Sequence, residues 1–200
     1  LSEAVCDCIY NYWFDWLETL TYGKIKRDKM CTWNARNMPP NTRGLFQHMN
    51  VGFNKSSIAT RMCTKYIFEE LYGTSKLNCS FDGSSFTLKG KICKYKDLMH
   101  WKDNCWTTNV HIDQTIEDEE SDQSERSVQG GFAMCDQNED GHVFLCVPGS
   151  HKHHKKILEL GLELPNKKPE LHWQVMSDKQ KEYLKSQGLE MKRVPLKKGD

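Results

Sequence analysis

A histidine and an aspartate lie two positions apart in residues 109 to 113, which read Asn-Val-His-Ile-Asp. The apolar residues Val110 and Ile112 alternate with His111 and Asp113, and such alternation is typical of a β-strand. Side chains two residues apart on a strand point to the same face, so we expect His111 and Asp113 to project together. An imidazole beside a carboxylate supplies two ligands of a metal site. A surface strand that carries both residues only for solubility is the alternative.

The composition limits the classes of partner. The chain has 200 residues, with 28 Lys and Arg against 27 Asp and Glu, so its net charge gives no field that would recruit nucleic acid or an anionic membrane. The basic run at residues 151 to 156 is a candidate nucleic-acid patch, but no aromatic residues interleave it. We therefore expect neither nucleic acid nor a membrane as the partner.

The cysteines indicate the cellular compartment. Nine cysteines are scattered along the chain without a Cys-x-x-Cys pair, which favours free thiols over a disulfide framework or a zinc ribbon. No apolar run approaches the roughly 18 to 20 residues that a membrane-spanning helix needs. We expect an intracellular, cytoplasmic protein, and the sequence does not predict an oligomeric state.

Helical periodicity marks two segments near the start of the chain. Apolar residues recur at intervals of three and four from residue 3 to 21, which predicts an amphipathic helix ended by Gly23. A second helix is predicted to begin at Ser56 or Ser57 and to end at Gly73. Its apolar residues share one face and are Ile58, Met62, Tyr66 and Leu71.

The pattern becomes strand-like from residue 77 onward. A hairpin is predicted around Asp82-Gly83, and a capping box of the Ser-x-x-Gln type from Ser177 to Gln180 predicts the start of a later helix. Further strands are predicted over residues 106 to 113, 127 to 134, 143 to 147 and from 193 onward, and the third reads as buried on both faces. Helices followed by strands predict a mainly β core with flanking α-helices.

Four segments, in this order, carry a resemblance to a known family. They read Ser-Phe-Asp-Gly at residues 80 to 83, His-Ile-Asp-Gln at 111 to 114, Val-Gln-Gly at 128 to 130 and Val-Pro-Gly-Ser-His-Lys at 147 to 152. Together they resemble the phytanoyl-CoA dioxygenase-like family of Fe(II)/2-oxoglutarate-dependent oxygenases. The resemblance covers roughly residues 40 to 200, and the second and fourth segments are its strongest elements.

The resemblance implies a fold and a domain organisation. Members of the family fold as a double-stranded β-helix, a jelly-roll barrel of the cupin-like kind. We therefore expect a single oxygenase-like domain over residues 1 to 200. Residues 1 to 75 would form a helical flank, and residues 76 to 200 would form the barrel core with a helical insert at about 152 to 190.

The resemblance also implies an activity and its cofactors, Fe(II) and 2-oxoglutarate. It predicts a dioxygenase that hydroxylates a small molecule or a side chain, with His111 and Asp113 matching the first two iron ligands. The family's third ligand, a histidine, and the arginine that binds 2-oxoglutarate follow a Gly-Asp turn, so we expect both beyond Gly199-Asp200. The alternative is a non-catalytic binding or scaffold protein with a degenerate jelly-roll barrel.

Four further residues are candidates for the rest of the site. Thr108 and Gln114 are expected to contact the co-substrate, although Gln114 fits a loop residue that bonds the backbone equally well. Gln129 and His151 are expected to face the substrate or line the rim, and His151 as the third metal ligand is the less favoured alternative. The acidic stretch 117 to 125 is either a lid or a solvated loop.

Overall fold

The structure is a computed structural model of the chain. It describes residues 1–34, 36–41, 44–81, 83–86, 110–113, 128–138, 143–162 and 174–200. The chain divides into two compact units. Unit 1 comprises residues 1–101, 132–142 and 195–200, and unit 2 comprises residues 102–131 and 143–194.

Two long helices dominate unit 1. Helix α1 spans Glu3–Leu20, which confirms the first predicted helix, and helix α2 spans Lys55–Tyr72. The cap of α2 is Asn54 rather than either predicted serine, because the Asn54 side chain accepts a hydrogen bond of 2.8 Å from the Ser57 amide. Gly73 ends α2 in the left-handed conformation at φ 64°, as predicted.

The core of unit 1 is an aromatic cluster on one face of α1. Trp13 stacks on Phe86 with 5.0 Å between ring centroids and meets Phe46 edge-on at 5.8 Å. Phe14 packs against Trp33 at 5.3 Å. Aromatic rings bury large apolar areas and gain from offset and edge-on contact, so this helix organises the residues around it.

Several apolar residues of α2 are exposed, whereas those on one face of α1 are buried. Ser56 is the one buried residue within the described side chains of this helix. The four apolar residues predicted to form its apolar face are all exposed, and they are Ile58, Met62, Tyr66 and Leu71.

A short strand pair replaces the predicted hairpin. Strand β1, Leu45–Phe46, pairs antiparallel with strand β2, Ser84–Ser85, so the described residues directly after Gly83 pair with β1 and not with residues 77 to 81. Phe81 stacks instead on Phe53, with 4.1 Å between ring centroids. Burial of Phe46 explains the pairing, because β1 then lies beside the aromatic cluster.

Unit 2 contains two strand pairs and two helices. Strand β3, His111–Ile112, pairs antiparallel with β5, Gln174–Val175. Strand β4, Phe144–Cys146, pairs antiparallel with β6, Lys192–Val194. The helices are α3, His154–Leu162, and α4, Asp178–Ser186.

Two predictions for unit 2 have opposite outcomes. The capping box at the start of α4 is confirmed, because Ser177 and Gln180 exchange hydrogen bonds between side chain and backbone. The prediction that residues 143 to 147 are buried on both faces is wrong, because Phe144 is 60% exposed. A strand with one partner leaves part of its surface to solvent, unlike the interior strand that a continuous apolar run suggests.

The predicted fold class, a mainly β double-stranded β-helix, is wrong. Helices α1 and α2 have 18 residues each and α3 and α4 have 9 each, whereas every strand has two or three. In the described ranges each strand has one partner in a two-stranded sheet, and no jelly-roll barrel forms. Aromatic packing on α1 uses apolar residues that the sequence pattern assigned to longer strands. The expectation that residues 1 to 200 form a single domain stays a prediction.

Replacing Gly83 by alanine should destabilise unit 1. A Cβ at Gly83 would overlap the backbone carbonyl oxygen of Phe46, which cannot move without breaking the β1 to β2 pairing. We expect Gly83→Ala to lower the free energy of unfolding by about 1 to 3 kcal/mol. Gly131→Ala is the control, since a Cβ there meets nothing within 4 Å. Equal urea midpoints for the two variants, followed by circular dichroism, would contradict the close approach.

Replacing Gln180 by leucine should destabilise unit 2. Gln180 is 0% exposed, and its Nε2 donates to the Ile157 carbonyl at 2.7 Å while its Oε1 accepts from the Ser177 amide at 2.8 Å. Leucine removes both bonds, so we expect Gln180→Leu to cost about 1 to 3 kcal/mol in urea denaturation. Gln187→Leu at the exposed end of α4 serves as the control. A loss as small as the control's would show that the buried amide contributes nothing.

Candidate metal site

His111 in strand β3 and Asp113 directly after the strand both have exposed side chains. Val110 and Ile112 pack against the apolar core of unit 2, whose buried members are Ile157, Met176 and Leu184. The alternating side chains of His111 and Asp113 are 49% and 43% exposed. The predicted arrangement of this strand is therefore confirmed, with the apolar pair inward and the polar pair outward.

The pairing with β5 fixes the orientation of the strand. His111 is opposite Val175 and Ile112 is opposite Gln174, and the Met176 amide donates to the Val110 carbonyl at 2.8 Å. Met176 is buried while Val175 is exposed, so both strands alternate in the same sense. A register slip of one residue would turn the apolar side chains to solvent.

The side chains of His111 and Asp113 converge at their tips. His111 Nε2 lies 3.3 Å from Asp113 Oδ1. Gln129, 16 residues further along the chain, donates a hydrogen bond of 2.9 Å from its Nε2 to Asp113 Oδ2. The two oxygens of one carboxylate therefore have different neighbours, an imidazole nitrogen on one side and an amide donor on the other.

The convergence fits two ligands of one metal ion. Nitrogen and oxygen ligands at about 2.1 Å from a first-row ion, on adjacent corners of an octahedron, are about 3.0 Å apart. The observed separation of 3.3 Å between His111 Nε2 and Asp113 Oδ1 is close to this value. A nitrogen and a carboxylate oxygen also suit Fe(II) chemically, and they form part of the facial triad of two histidines and one carboxylate.

The other predicted site residues lie elsewhere or outside the described residues. Thr108, Gln114 and the acidic stretch 117 to 125 are outside them. His151 is exposed in the 3₁₀ turn Ser150–His153. Among the residues that the structure describes, no three His, Cys, Asp or Glu side chains are grouped to hold a metal, so His151 does not join the pair on β3.

The histidines after residue 150 include one with a structural role. His153 Nδ1 lies 3.0 Å from the Tyr183 hydroxyl, and the two rings meet edge-on at 5.7 Å. This contact joins the turn before α3 to α4. The two residues are 30 positions apart, and no short-range sequence pattern relates them.

The link from Gln129 to Asp113 was also missed by sequence reasoning. Gln129 was expected to face the substrate or line the rim, and that role stays a prediction. The two residues are 16 positions apart, and no short-range pattern relates side chains at that separation. The flanking Gly130-Gly131 is the only nearby signal, and it indicates backbone shape rather than a bonding partner.

Comparisons with known proteins give no information about this site. The sequence matches no protein-family model, no curated protein and no solved structure at a significant level. In the described parts of the chain, none of the helices combines the length and apolar character required to span a bilayer.

Proposed function

We propose that this protein is an Fe(II)/2-oxoglutarate-dependent dioxygenase in which His111 Nε2 and Asp113 Oδ1 are two of the three protein ligands of the iron. The observation that carries the proposal is the 3.3 Å separation between these two atoms, from residues two positions apart at the end of strand β3. The order of the four sequence segments around this pair supports the same assignment. The third protein ligand would come from outside the residues that the structure describes.

The two side chains have separate tasks in this proposal. His111 offers a neutral nitrogen lone pair, and Asp113 offsets part of the divalent charge. Together with a third protein ligand they would hold Fe(II) and leave positions for the keto acid and O₂. The bound cofactors would supply the oxidative chemistry, in which substrate R–H, 2-oxoglutarate and O₂ give R–OH, succinate and CO₂. We propose a small molecule or a side chain as the substrate.

A non-catalytic binding protein is the second candidate, and one observation favours it. A separation of 3.3 Å also suits a surface ion pair between a protonated His111 and Asp113, both of which are about half exposed. Such an exposed pair contributes only about 0 to 1 kcal/mol to stability. The two candidates differ in whether the pair binds a metal ion and whether succinate forms.

Removing either ligand should abolish iron binding. We expect anaerobic calorimetry on the full-length protein to show Fe(II) binding with 2-oxoglutarate present, and His111→Ala and Asp113→Ala to weaken it by about 100-fold or more, beyond the 10- to 100-fold typical of residues that only support a ligand. Succinate formation in air should fall with it, because the cofactors can no longer be held.

Matched variants distinguish a site from a general loss of side chains. His48→Ala and Asp178→Ala remove an exposed histidine and an exposed aspartate from other elements, and they should bind Fe(II) as the unmodified protein does. Unchanged Fe(II) affinity in both His111→Ala and Asp113→Ala would overturn the proposal and leave the non-catalytic candidate.

A further inference from the structure

The Asp113 carboxylate is held from the side opposite His111. Gln129 Nε2 donates to Oδ2 at 2.9 Å, whereas Oδ1 faces His111 Nε2 at 3.3 Å. We propose that Gln129 is a positioning residue that restricts Asp113 to binding the metal through Oδ1 alone. This inference rests on the proposed function, since it assumes that His111 and Asp113 are metal ligands.

The hydrogen bond decides how many positions the carboxylate occupies. A free carboxylate can bind an ion through one oxygen or through both. An amide donor on Oδ2 competes with a metal ion for that oxygen, and it restricts the plane of the carboxylate. The donor is neutral, so it holds the oxygen without adding a positive charge beside a cation.

The number of coordination positions left on the metal determines whether the keto acid and O₂ can bind together. Two histidines and a carboxylate bound through one oxygen occupy three corners of an octahedron and leave three for the keto acid and O₂. A carboxylate bound through both oxygens would occupy a fourth corner and leave only two. The keto acid alone would fill those two positions, so O₂ would have none.

The surroundings of Gln129 fit a positioning role. Gln129 and Asp113 both belong to unit 2, so their contact lies within one compact unit. Gln129 is exposed, so its substitution removes a donor without opening a cavity in the core.

Cobalt(II) spectroscopy tests the inference directly, because visible absorption reports the coordination of the ion. In the full-length protein we expect Gln129→Leu to weaken Co(II) binding by about 10- to 100-fold and to change the shape of the d–d bands, since the freed carboxylate can bind through both oxygens. Binding of 2-oxoglutarate to the cobalt protein should weaken as well. Far-ultraviolet circular dichroism should match that of the unmodified protein.

The controls separate this inference from the proposed function. Gln187→Leu removes an exposed glutamine elsewhere in unit 2 and should leave both the Co(II) affinity and the spectrum unchanged. Loss of Co(II) binding in His111→Ala, with the Gln129→Leu affinity and spectrum equal to those of the unmodified protein, would overturn the role of Gln129 alone. Unchanged Co(II) binding in both His111→Ala and Asp113→Ala would overturn the proposed function itself.

Discussion

Burial of Val110 and Ile112 is the constraint on which the candidate site depends. Both are partly buried against the core of unit 2, so each gains part of the roughly 1.5 to 3 kcal/mol that full burial of such a side chain is worth. A strand has only two faces, so placing this pair inward turns His111 and Asp113 outward together. The orientation of the two polar side chains is therefore fixed by their apolar neighbours, and it does not require any attraction between the imidazole and the carboxylate.

The partner strand is held in place through the helix that follows it. Gln174–Val175 leads through the buried Met176 to Ser177, the N-cap of α4, so strand and helix share one continuous segment. Gln180 ties that helix start to the Ile157 carbonyl in α3 at 2.7 Å. Because Gln180 is fully buried, its bonds are made in a low-dielectric environment where an unpaired amide is costly. The site strand is thus supported by a hydrogen-bonded helix pair as well as by apolar packing.

Local patterns in the sequence predicted local structure, and they failed where distant segments choose partners. The inward and outward faces of β3 and the capping box at Ser177 follow from spacings of two and three residues, which the chain encodes directly. The jelly-roll barrel did not follow, because strand pairing depends on contacts such as His111 with Val175, 64 positions apart. Alternation alone also does not show how far a strand extends, and the strands described here stop after two or three residues. The contact of Gln129 with Asp113 is equally non-local.

The solvent exposure of His111 and Asp113 limits what their contact can contribute to stability. His111 and Asp113 are 49% and 43% exposed, and an ion pair in such a setting contributes little to stability because water screens it and ordering two side chains costs entropy. The same holds for the amide of Gln129, whose bond to Asp113 replaces one that water would make. The convergence of these three side chains therefore contributes little to stability, and it is compatible both with a surface ion pair and with the proposed metal site. In the proposed site, a divalent cation would draw the imidazole nitrogen and the carboxylate oxygen together far more strongly than they attract each other.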